Sequence, residues 1–148
     1  MGKRAGFVDP TYARTGKYGA VISEIAQKNV CPFCPETFHW HTNPILRRDG
    51  SWFITKSMQP YKDTEHHFLI LGVKHKVNVT ELTPTDWSHI RQLIAWAEDR
   101  FGLLGGGLTL RFGDTRFTGA TVSHLHLHLI VPQLDDAGRA KPVYFPIG

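Results

Sequence analysis

Three histidines on alternate positions of one short apolar segment constrain this chain more than any other feature. The stretch SHLHLHLIVP places His124, His126 and His128 with single leucines between them. Strand side chains alternate between faces, so residues two apart share a face. Read as a strand over 124–131, the segment turns its leucines towards a core and its imidazoles to the opposite face. Pro132 is predicted to close the strand, because proline is disfavoured inside a β-ladder.

The rest of the pattern predicts a single α+β domain over residues 1–148, with a core of about 18–132 and a tail at 133–148. The order of elements favours a mainly antiparallel sheet of about five strands, with one long helix and a short N-terminal helix. The predicted elements are a helix over 18–28, a hairpin over 44–58 that turns at Asp49-Gly50, a strand over 66–73, a long helix from Thr83, and strands over 108–112 and 124–131.

The long helix carries clear start and stop signals. Thr83 can cap its N-terminus, Pro84 suits the first helical position, and Gly102 is a plausible stop. Apolar residues recur at steps of three and four and predict a stripe that faces the core. These residues are Trp87, Ile90, Ile94, Ala97 and Phe101.

Composition limits the possible partners. The 148 residues are 41% hydrophobic and carry a net charge of +4. No run approaches the ~18 apolar residues of a membrane span, and the N-terminus lacks a signal peptide's apolar stretch, so we expect a cytoplasmic protein without a membrane partner. A mild basic excess suits a small phosphorylated ligand, whereas the absence of a long Lys/Arg block argues against nucleic acid.

A histidine row has three physical interpretations. It can be an exposed strand face that happens to be rich in histidine. It can hold a metal, since His-x-His on a strand grips zinc or iron with a third ligand from elsewhere. It can also be catalytic, because imidazole is a nucleophile and an acid or base near neutral pH.

The CPFC stretch favours a metal. Cys31 and Cys34 are the only cysteines, and a disulfide would be unusual in the cytoplasm. A redox CxxC is a second interpretation, but that motif normally follows a strand and opens a helix, whereas a predicted helix precedes it here. If zinc binds, two ligands are missing. Spacing alone leaves two sources open, either His39 and His41 or His75 with one member of the row.

His-Leu-His-Leu-His-Leu-Ile resembles the signature of the histidine triad (HIT) family, in which apolar residues separate and follow three histidines. HHFLILGVKHKVNVTEL is similar to the family's preceding strand, and the likeness runs from about Cys31 to Pro132. The resemblance implies a HIT fold and a nucleotidyl hydrolase or transferase that forms a homodimer by joining two sheets.

The resemblance also implies a structural zinc ion. Zinc-bearing HIT proteins and the distantly similar galactose-1-phosphate uridylyltransferases hold the metal with CxxC, a histidine at the end of the preceding strand and the first triad histidine. The implied ligands are Cys31, Cys34, His75 and His124. His39 and His41 would then lie exposed in a loop.

The resemblance implies catalytic roles for four further residues. His126 would attack the α-phosphorus of a nucleotide to form a nucleotidyl-histidine, and His128 would donate to the phosphoryl oxygens. His67 matches a fourth active-site histidine, whereas His66 points to the opposite face. Thr121 occupies the place of a hydroxyl near the phosphate or leaving group; its alternative is a loop threonine that bonds only its own backbone.

Two departures from the family pattern affect substrate binding. Many HIT proteins have an asparagine shortly before the triad, where Arg111 or Gly113 stands here. Arg111 could bind phosphate bidentately or could be a solvated residue at a strand end. Where the family has an acidic or amide residue for the ribose, this chain has Lys56 or Ser57, and Ser57 is our candidate. The tail AKPVYFPIG would either fold over the active site of the dimer or hang free.

Three functional hypotheses therefore remain at the level of sequence. The first is a HIT-like nucleotidyl hydrolase or transferase that acts on a nucleotide ester, anhydride or phosphoramidate. The second is a HIT protein that binds nucleotides or serves as a scaffold with little turnover. The third is a metal-dependent enzyme with catalytic zinc on His126 and His128, which leaves CxxC unexplained.

Overall fold

The computed structural model describes residues 6–13 and 16–148. Its helices are α1 (Lys17–Lys28), α2 (Pro84–Phe101) and α3 (Thr115–Thr118), with short 3-10 helices at Pro10–Tyr12, Pro35–Trp40 and Val79–Glu81. Its strands are β1 (Ile45–Asp49), β2 (Trp52–Lys56), β3 (Thr64–Gly72), β4 (Gly107–Leu110) and β5 (His126–Pro132).

The five strands form one sheet in the order β1-β2-β3-β5-β4, with every neighbouring pair antiparallel. The predicted hairpin is therefore correct, but its turn lies at Gly50 and Ser51 and not at Asp49-Gly50, because Asp49 still pairs with Trp52. Gly50 has φ of 52°, a left-handed conformation that glycine adopts at little cost. The prediction of an α+β fold with five antiparallel strands, one long helix and a short N-terminal helix is confirmed.

Strands β3 and β5 direct their apolar side chains to one face of the sheet and their site histidines to the other. Opposed residues share a face in an antiparallel pair, and the register sets Ile70 against Leu127 and Phe68 against Leu129. These four side chains pack with Trp52 and with α2 in the main core. The other face of β5 carries His126 and His128, as the alternating pattern predicted.

Helix α2 begins as predicted, but one residue of the predicted stripe is wrong. Thr83 accepts a hydrogen bond from the Asp86 amide and caps the helix, and Gly102 follows its last residue in the left-handed conformation. Trp87 is 42% exposed, whereas Leu93 is fully buried at a position that the stripe omitted. Within the described part of the chain, no helix is long and apolar enough to cross a bilayer.

A buried carboxylate ties α2 to the sheet. Asp86 accepts hydrogen bonds from Trp52 Nε1 at 2.8 Å and from Lys76 Nζ at 2.6 Å. The backbone amide and hydroxyl of Thr83 donate to the same carboxylate. Burial alone would raise the pKa of Asp86, but the hydrogen bonds from Lys76, Trp52 and Thr83 outweigh it and hold that pKa well below its usual value.

Two predicted strands are shifted at their ends. Strand β4 stops at Leu110, so Arg111 and Phe112 lie beyond it, and β5 begins only at His126. His124 therefore precedes the sheet, where the Leu125 amide donates to the Lys76 carbonyl at 2.7 Å. His124 therefore lies outside the strand that carries the other two histidines of the row.

The C-terminal segment does not hang free, which corrects that alternative, because Phe145 packs on His128 and Gly148 bonds to Thr118. That it covers the active site of a dimer stays a prediction. Leu134 pairs with Ala140 in an isolated bridge, and the chain then runs back along the histidine face of its own sheet. The Gly148 amide donates to the Thr118 carbonyl at 3.0 Å. A Cβ atom at Gly119 would lie 2.5 Å from the Gly148 carbonyl oxygen, so this close approach requires glycine.

We expect Asp86→Asn to lower the free energy of unfolding by about 3 kcal/mol, because it leaves Lys76 without its buried partner. That loss corresponds to a fall of about 6–12 °C in Tm. Asp99→Asn, on the exposed side of the same helix, should change stability by less than about 0.5 kcal/mol.

The depressed pKa also predicts how this contribution depends on pH. It is fully present above the unfolded-state pKa of about 4 and is lost as pH falls through the lower folded-state value. Calorimetric melting curves between pH 7 and pH 2 should show a shallower acid-side decline for Asp86→Asn than for the wild type. Equal slopes for the two proteins would contradict this account.

Candidate metal centre and histidine pocket

The structure brings four predicted metal ligands together. The ligand atoms of Cys31, Cys34, His75 and His124 all lie within 4.8 Å of one another. Cys31 and Cys34 lie in the loop after α1, His75 follows β3, and His124 precedes β5. Among residues 6–13 and 16–148, this is the one group of three or more His, Cys, Asp and Glu side chains arranged closely enough to share an ion.

The distances within this cluster suit tetrahedral zinc. His124 Nδ1 lies 3.3 Å from Cys31 Sγ and 3.7 Å from Cys34 Sγ, and His75 Nδ1 lies 3.6 Å from Cys34 Sγ. Zn–S bonds of about 2.3 Å and Zn–N bonds of about 2.0–2.1 Å give a tetrahedral S···N edge of about 3.5 Å. Two thiolates and two imidazoles are also the ligand types that zinc prefers.

Hydrogen bonding orients the buried histidine of the cluster. His124 Nε2–H donates to the Gly72 carbonyl at 2.8 Å, which leaves the Nδ1 lone pair directed at the two sulfurs. Such support of the second ring nitrogen is usual for metal-binding histidines. Burial lowers the pKa of His124 to about 4 and raises the pKa of Cys31 to about 12. The thiolate form of Cys31 therefore needs a nearby cation.

Neither alternative ligand belongs to this cluster. His39 is exposed and its ring packs on Trp40. His41 is half-buried, and its Nε2 lies 2.9 Å from Thr55 Oγ1. The expectation that both lie exposed in a loop is wrong, because His39 belongs to the 3-10 helix Pro35–Trp40 and His41 packs on Phe38.

The second and third triad histidines line a separate small pocket. Its cavity is about 140 Å³, and every predicted catalytic or substrate-binding residue contributes to the lining. These residues are His67, His126, His128, Thr121, Ser57 and Arg111. His66 lies on the opposite face of β3, against Phe68 and Phe101, as predicted.

One backbone carbonyl fixes the tautomer of His126. Its Nδ1–H donates to the His124 carbonyl at 2.6 Å, so the neutral ring carries its lone pair on Nε2. Burial lowers the pKa of His126 below its ordinary value, and the positive charge of Arg111 lowers it further. The ring is therefore neutral at pH 7 with one nitrogen available for bonding.

A second hydrogen-bond chain fixes His67 and His128. The Tyr61 amide donates to His67 Nδ1 at 3.1 Å, so the His67 proton lies on Nε2. That Nε2–H then donates to His128 Nδ1 at 2.8 Å. The proton of neutral His128 is consequently placed on Nε2, where it can donate to an anion in the pocket.

Three aromatic residues that shape the pocket were not predicted from the sequence. Tyr61 stacks on His67, with ring centroids 4.7 Å apart. Phe145 packs edge-on against His128 at 5.0 Å. Phe33, inside CPFC, packs edge-on against His126 at 5.1 Å. Only Phe33 had a signal in the sequence, since it lies between the two predicted zinc ligands.

The remaining predicted site residues make specific contacts. Thr121 Oγ1 donates to the Tyr12 carbonyl at 3.2 Å, so it does not bond merely its own backbone. Ser57 Oγ accepts from the Gln59 amide at 3.2 Å. Arg111 is half-buried rather than solvated, and its Nη1 donates to the Pro146 carbonyl at 3.2 Å. Lys56 is exposed, and Gly113 bonds the Val77 carbonyl away from the pocket.

An apolar cavity of about 410 Å³ adjoins the histidine pocket. Six residues line both spaces, so the two share a wall. They are Tyr18, Phe33, Ser57, Gln59, Leu69 and Val122. The cavity extends from them to Ile22, Trp40 and Met58 and offers aromatic and aliphatic surface.

Solved structures define the class of fold. The chain is similar to a histidine triad nucleotide-binding protein from Candida albicans, with a TM-score of 0.55 and 18% identity over 86% of this chain and 83% of that one. A HIT family hydrolase from Legionella pneumophila Philadelphia 1 gives a TM-score of 0.53 and 21% identity, over 74% of this chain and all of that one. The chain has the HIT fold.

Two relatives are similar to the chain in sequence. Two HIT-like proteins of Mycobacterium tuberculosis, MT1300 of strain CDC 1551 / Oshkosh and Rv1262c of strain H37Rv, are each 32% identical to this chain over 98 residues. The match covers 63% of this chain and 66% of each relative, so it spans just under two thirds of their length. No protein-family model matches the chain.

The tautomers can be read directly by NMR. Long-range ¹H–¹⁵N spectra at pH 7 should show His126 protonated on Nδ1 and both His67 and His128 protonated on Nε2, because of the hydrogen bonds described above. His67→Phe should release His128 into a mixture of tautomers and leave His126 unchanged. Protonation of His126 on Nε2 in the wild type would contradict the arrangement.

Proposed function

We propose that this chain is a nucleotidyl hydrolase or transferase that acts on a nucleotide ester, anhydride or phosphoramidate through a nucleotidyl-histidine intermediate. The observation that carries the proposal is the hydrogen bond from His126 Nδ1 to the His124 carbonyl. This bond holds the proton on Nδ1, so the neutral imidazole has its lone pair on Nε2, as a nucleophile requires.

In the proposed reaction, His126 Nε2 attacks the α-phosphorus and the bond to the leaving group breaks. The bonding electrons depart with the leaving group, and an amine leaving group takes up a proton from solvent as it departs. Water or another acceptor then attacks the same phosphorus, and the electrons of the P–N bond return to His126. Hydrolysis thus adds the hydroxyl group of water to phosphorus and releases one proton to solvent. Division into two steps replaces one difficult displacement with two easier ones.

We assign His128 the role of stabilising the negative charge that develops on the phosphoryl oxygens, and His67 the role of orienting His128. The chain from the Tyr61 amide through His67 fixes the His128 proton on Nε2. A donor that is already oriented stabilises the transition state without reorganisation. We assign Thr121 to the same phosphate region, since this residue lines the pocket with the two histidines.

The adjoining apolar cavity is the proposed site for the nucleobase. Its volume of about 410 Å³ lies within the range of about 300–1,000 Å³ typical of ligand sites. Ser57 lines both the cavity and the histidine pocket, so it would lie beside the ribose that joins base and phosphate. The base would then contact Tyr18, Phe33 and Trp40.

Zinc in the Cys31, Cys34, His75 and His124 cluster is proposed to be structural. Four protein ligands leave no open position, so the ion would supply folding stability and no activated water. The geometry offers no support for the alternative of catalytic zinc on His126 and His128, because the one group of described His, Cys, Asp and Glu side chains close enough to share an ion includes neither of them. Similarity to galactose-1-phosphate uridylyltransferases stays a prediction.

We also propose that the protein acts in the cytoplasm. We further propose that it is a homodimer in which the β4 strands of two copies pair. Strand β4 is an edge of the sheet, and an open edge is a template for pairing. Leu104 and Leu108 are exposed beside this edge, at 103% and 49%. Apolar side chains at an open edge favour its coverage by another chain.

A second candidate function is nucleotide binding with little turnover. It is favoured by the C-terminal segment, because Phe145 packs on His128 and the histidine cavity holds only about 140 Å³. A substrate would have to move this segment before its phosphorus could reach His126. The two candidates differ in whether a covalent adduct forms and is released.

The test is intact-mass analysis of protein mixed with nucleotide derivatives and quenched within milliseconds under denaturing, non-acidic conditions. The wild type should gain one nucleotidyl mass located on His126, and His126→Gly should lose both the adduct and at least about a thousandfold in turnover. His128→Ala should retain the adduct and lose about a hundredfold, since it removes only a donor.

His39→Gly is the matched control, because that histidine is exposed and lies outside the pocket. It should behave as the wild type. Turnover that survives in His126→Gly would contradict the covalent mechanism. An adduct that accumulates in the wild type without release would favour the binding function.

A further inference from the structure

Arg111 brings a positive charge into the histidine pocket, where no acidic side chain balances it. None of the described residues that line the pocket is Asp or Glu. Within residues 6–13 and 16–148, the ion pairs involve other cations, and none includes Arg111. A half-buried guanidinium without a carboxylate is a site that favours an anion.

The present partners of Arg111 are weak. Nη1 donates to the Pro146 carbonyl at 3.2 Å and to the Gly119 carbonyl at 3.5 Å, and Nε is buried without a hydrogen-bond partner. The Phe145 ring lies 4.9 Å from the guanidinium carbon. Guanidinium presents a planar fork of donors that matches two phosphate oxygens. A phosphate would satisfy Nε and replace the long bonds to carbonyls.

The position of Arg111 separates it from the proposed base site. It lines the histidine pocket but not the apolar cavity, whereas Ser57 and Phe33 line both. A nucleotide with its base in the cavity would place its α-phosphorus at the histidines. The part of the substrate beyond that phosphorus would then extend towards Arg111, Gly119 and Pro146.

We infer that Arg111 forms a second phosphate subsite, which selects substrates whose leaving group is itself a phosphate. This inference rests on the proposed function and narrows its substrate class to nucleoside di- and polyphosphate derivatives. Neutral leaving groups such as amines make no use of the guanidinium.

The subsite also has a role in the chemistry. As His126 Nε2 bonds to the α-phosphorus, the bridging P–O bond breaks and its electron pair remains on the departing phosphate. Arg111 stabilises that added negative charge through charge-assisted hydrogen bonds.

The first test measures binding without turnover. Calorimetric titration of the wild type with inorganic pyrophosphate should show one site, and Arg111→Gln should weaken it by about ten- to a hundredfold. Arg111→Lys keeps the positive charge but lacks the planar set of donors. Its affinity for pyrophosphate should therefore lie between those of the wild type and Arg111→Gln. Arg116→Gln is the matched control, since Arg116 is exposed and pairs with Asp114 outside the pocket. Pyrophosphate binding that is absent, or unchanged in Arg111→Gln, would overturn the inference.

The second test compares two substrates with the same nucleotidyl group, a dinucleoside triphosphate and a nucleoside phosphoramidate. Arg111→Gln should lower kcat/KM for the triphosphate by about ten- to a hundredfold and change it for the phosphoramidate by less than about threefold. Equal losses on both substrates would overturn the inference. Pyrophosphate binding that depends on Arg111, without any substrate that modifies His126, would support the phosphate subsite but contradict the proposed function.

Discussion

The antiparallel pairing of β3 with β5 is the constraint on which the rest of the molecule depends. Its register sets Leu69 opposite His128 and His67 opposite Ile130, so the two histidines are diagonal neighbours on one face. Diagonal positions lie within reach of long side chains, which allows the bond of 2.8 Å between their rings. The opposite face of the same two strands supplies the main apolar core.

The same pairing also brings together the candidate zinc ligands at one end of these strands. His75 follows β3 and His124 precedes β5, so the end of one strand and the start of the other bring both imidazoles to the CPFC loop. The Gly72 carbonyl orients the His124 ring, and the His124 carbonyl orients the His126 ring. His124 thus contributes its side chain to the candidate zinc site and its backbone carbonyl to the orientation of the proposed nucleophile.

The sequence predicted those parts of the structure that depend on local pattern. Alternation placed the leucines and histidines of β5 on opposite faces, and Thr83 and Gly102 marked the ends of α2. Trp87 was misplaced because three- and four-residue spacing leaves the exact direction of a helix's buried face open, and packing on the sheet selected Leu93 instead. Contacts of Tyr61 and Phe145 with the histidines could not be predicted, since a loop amide and a distant tail carry no periodic signal.

Neighbouring histidines of one row have different proposed roles, and the metal content and melting curves of two variants would separate them. His126→Ala should retain one zinc per chain and nearly the wild-type Tm while it loses turnover. His124→Ala should lose the zinc and melt at a lower temperature, because part of the binding energy of the metal is folding stability. Loss of zinc from His126→Ala, or purified wild-type protein that carries none, would contradict this division of labour.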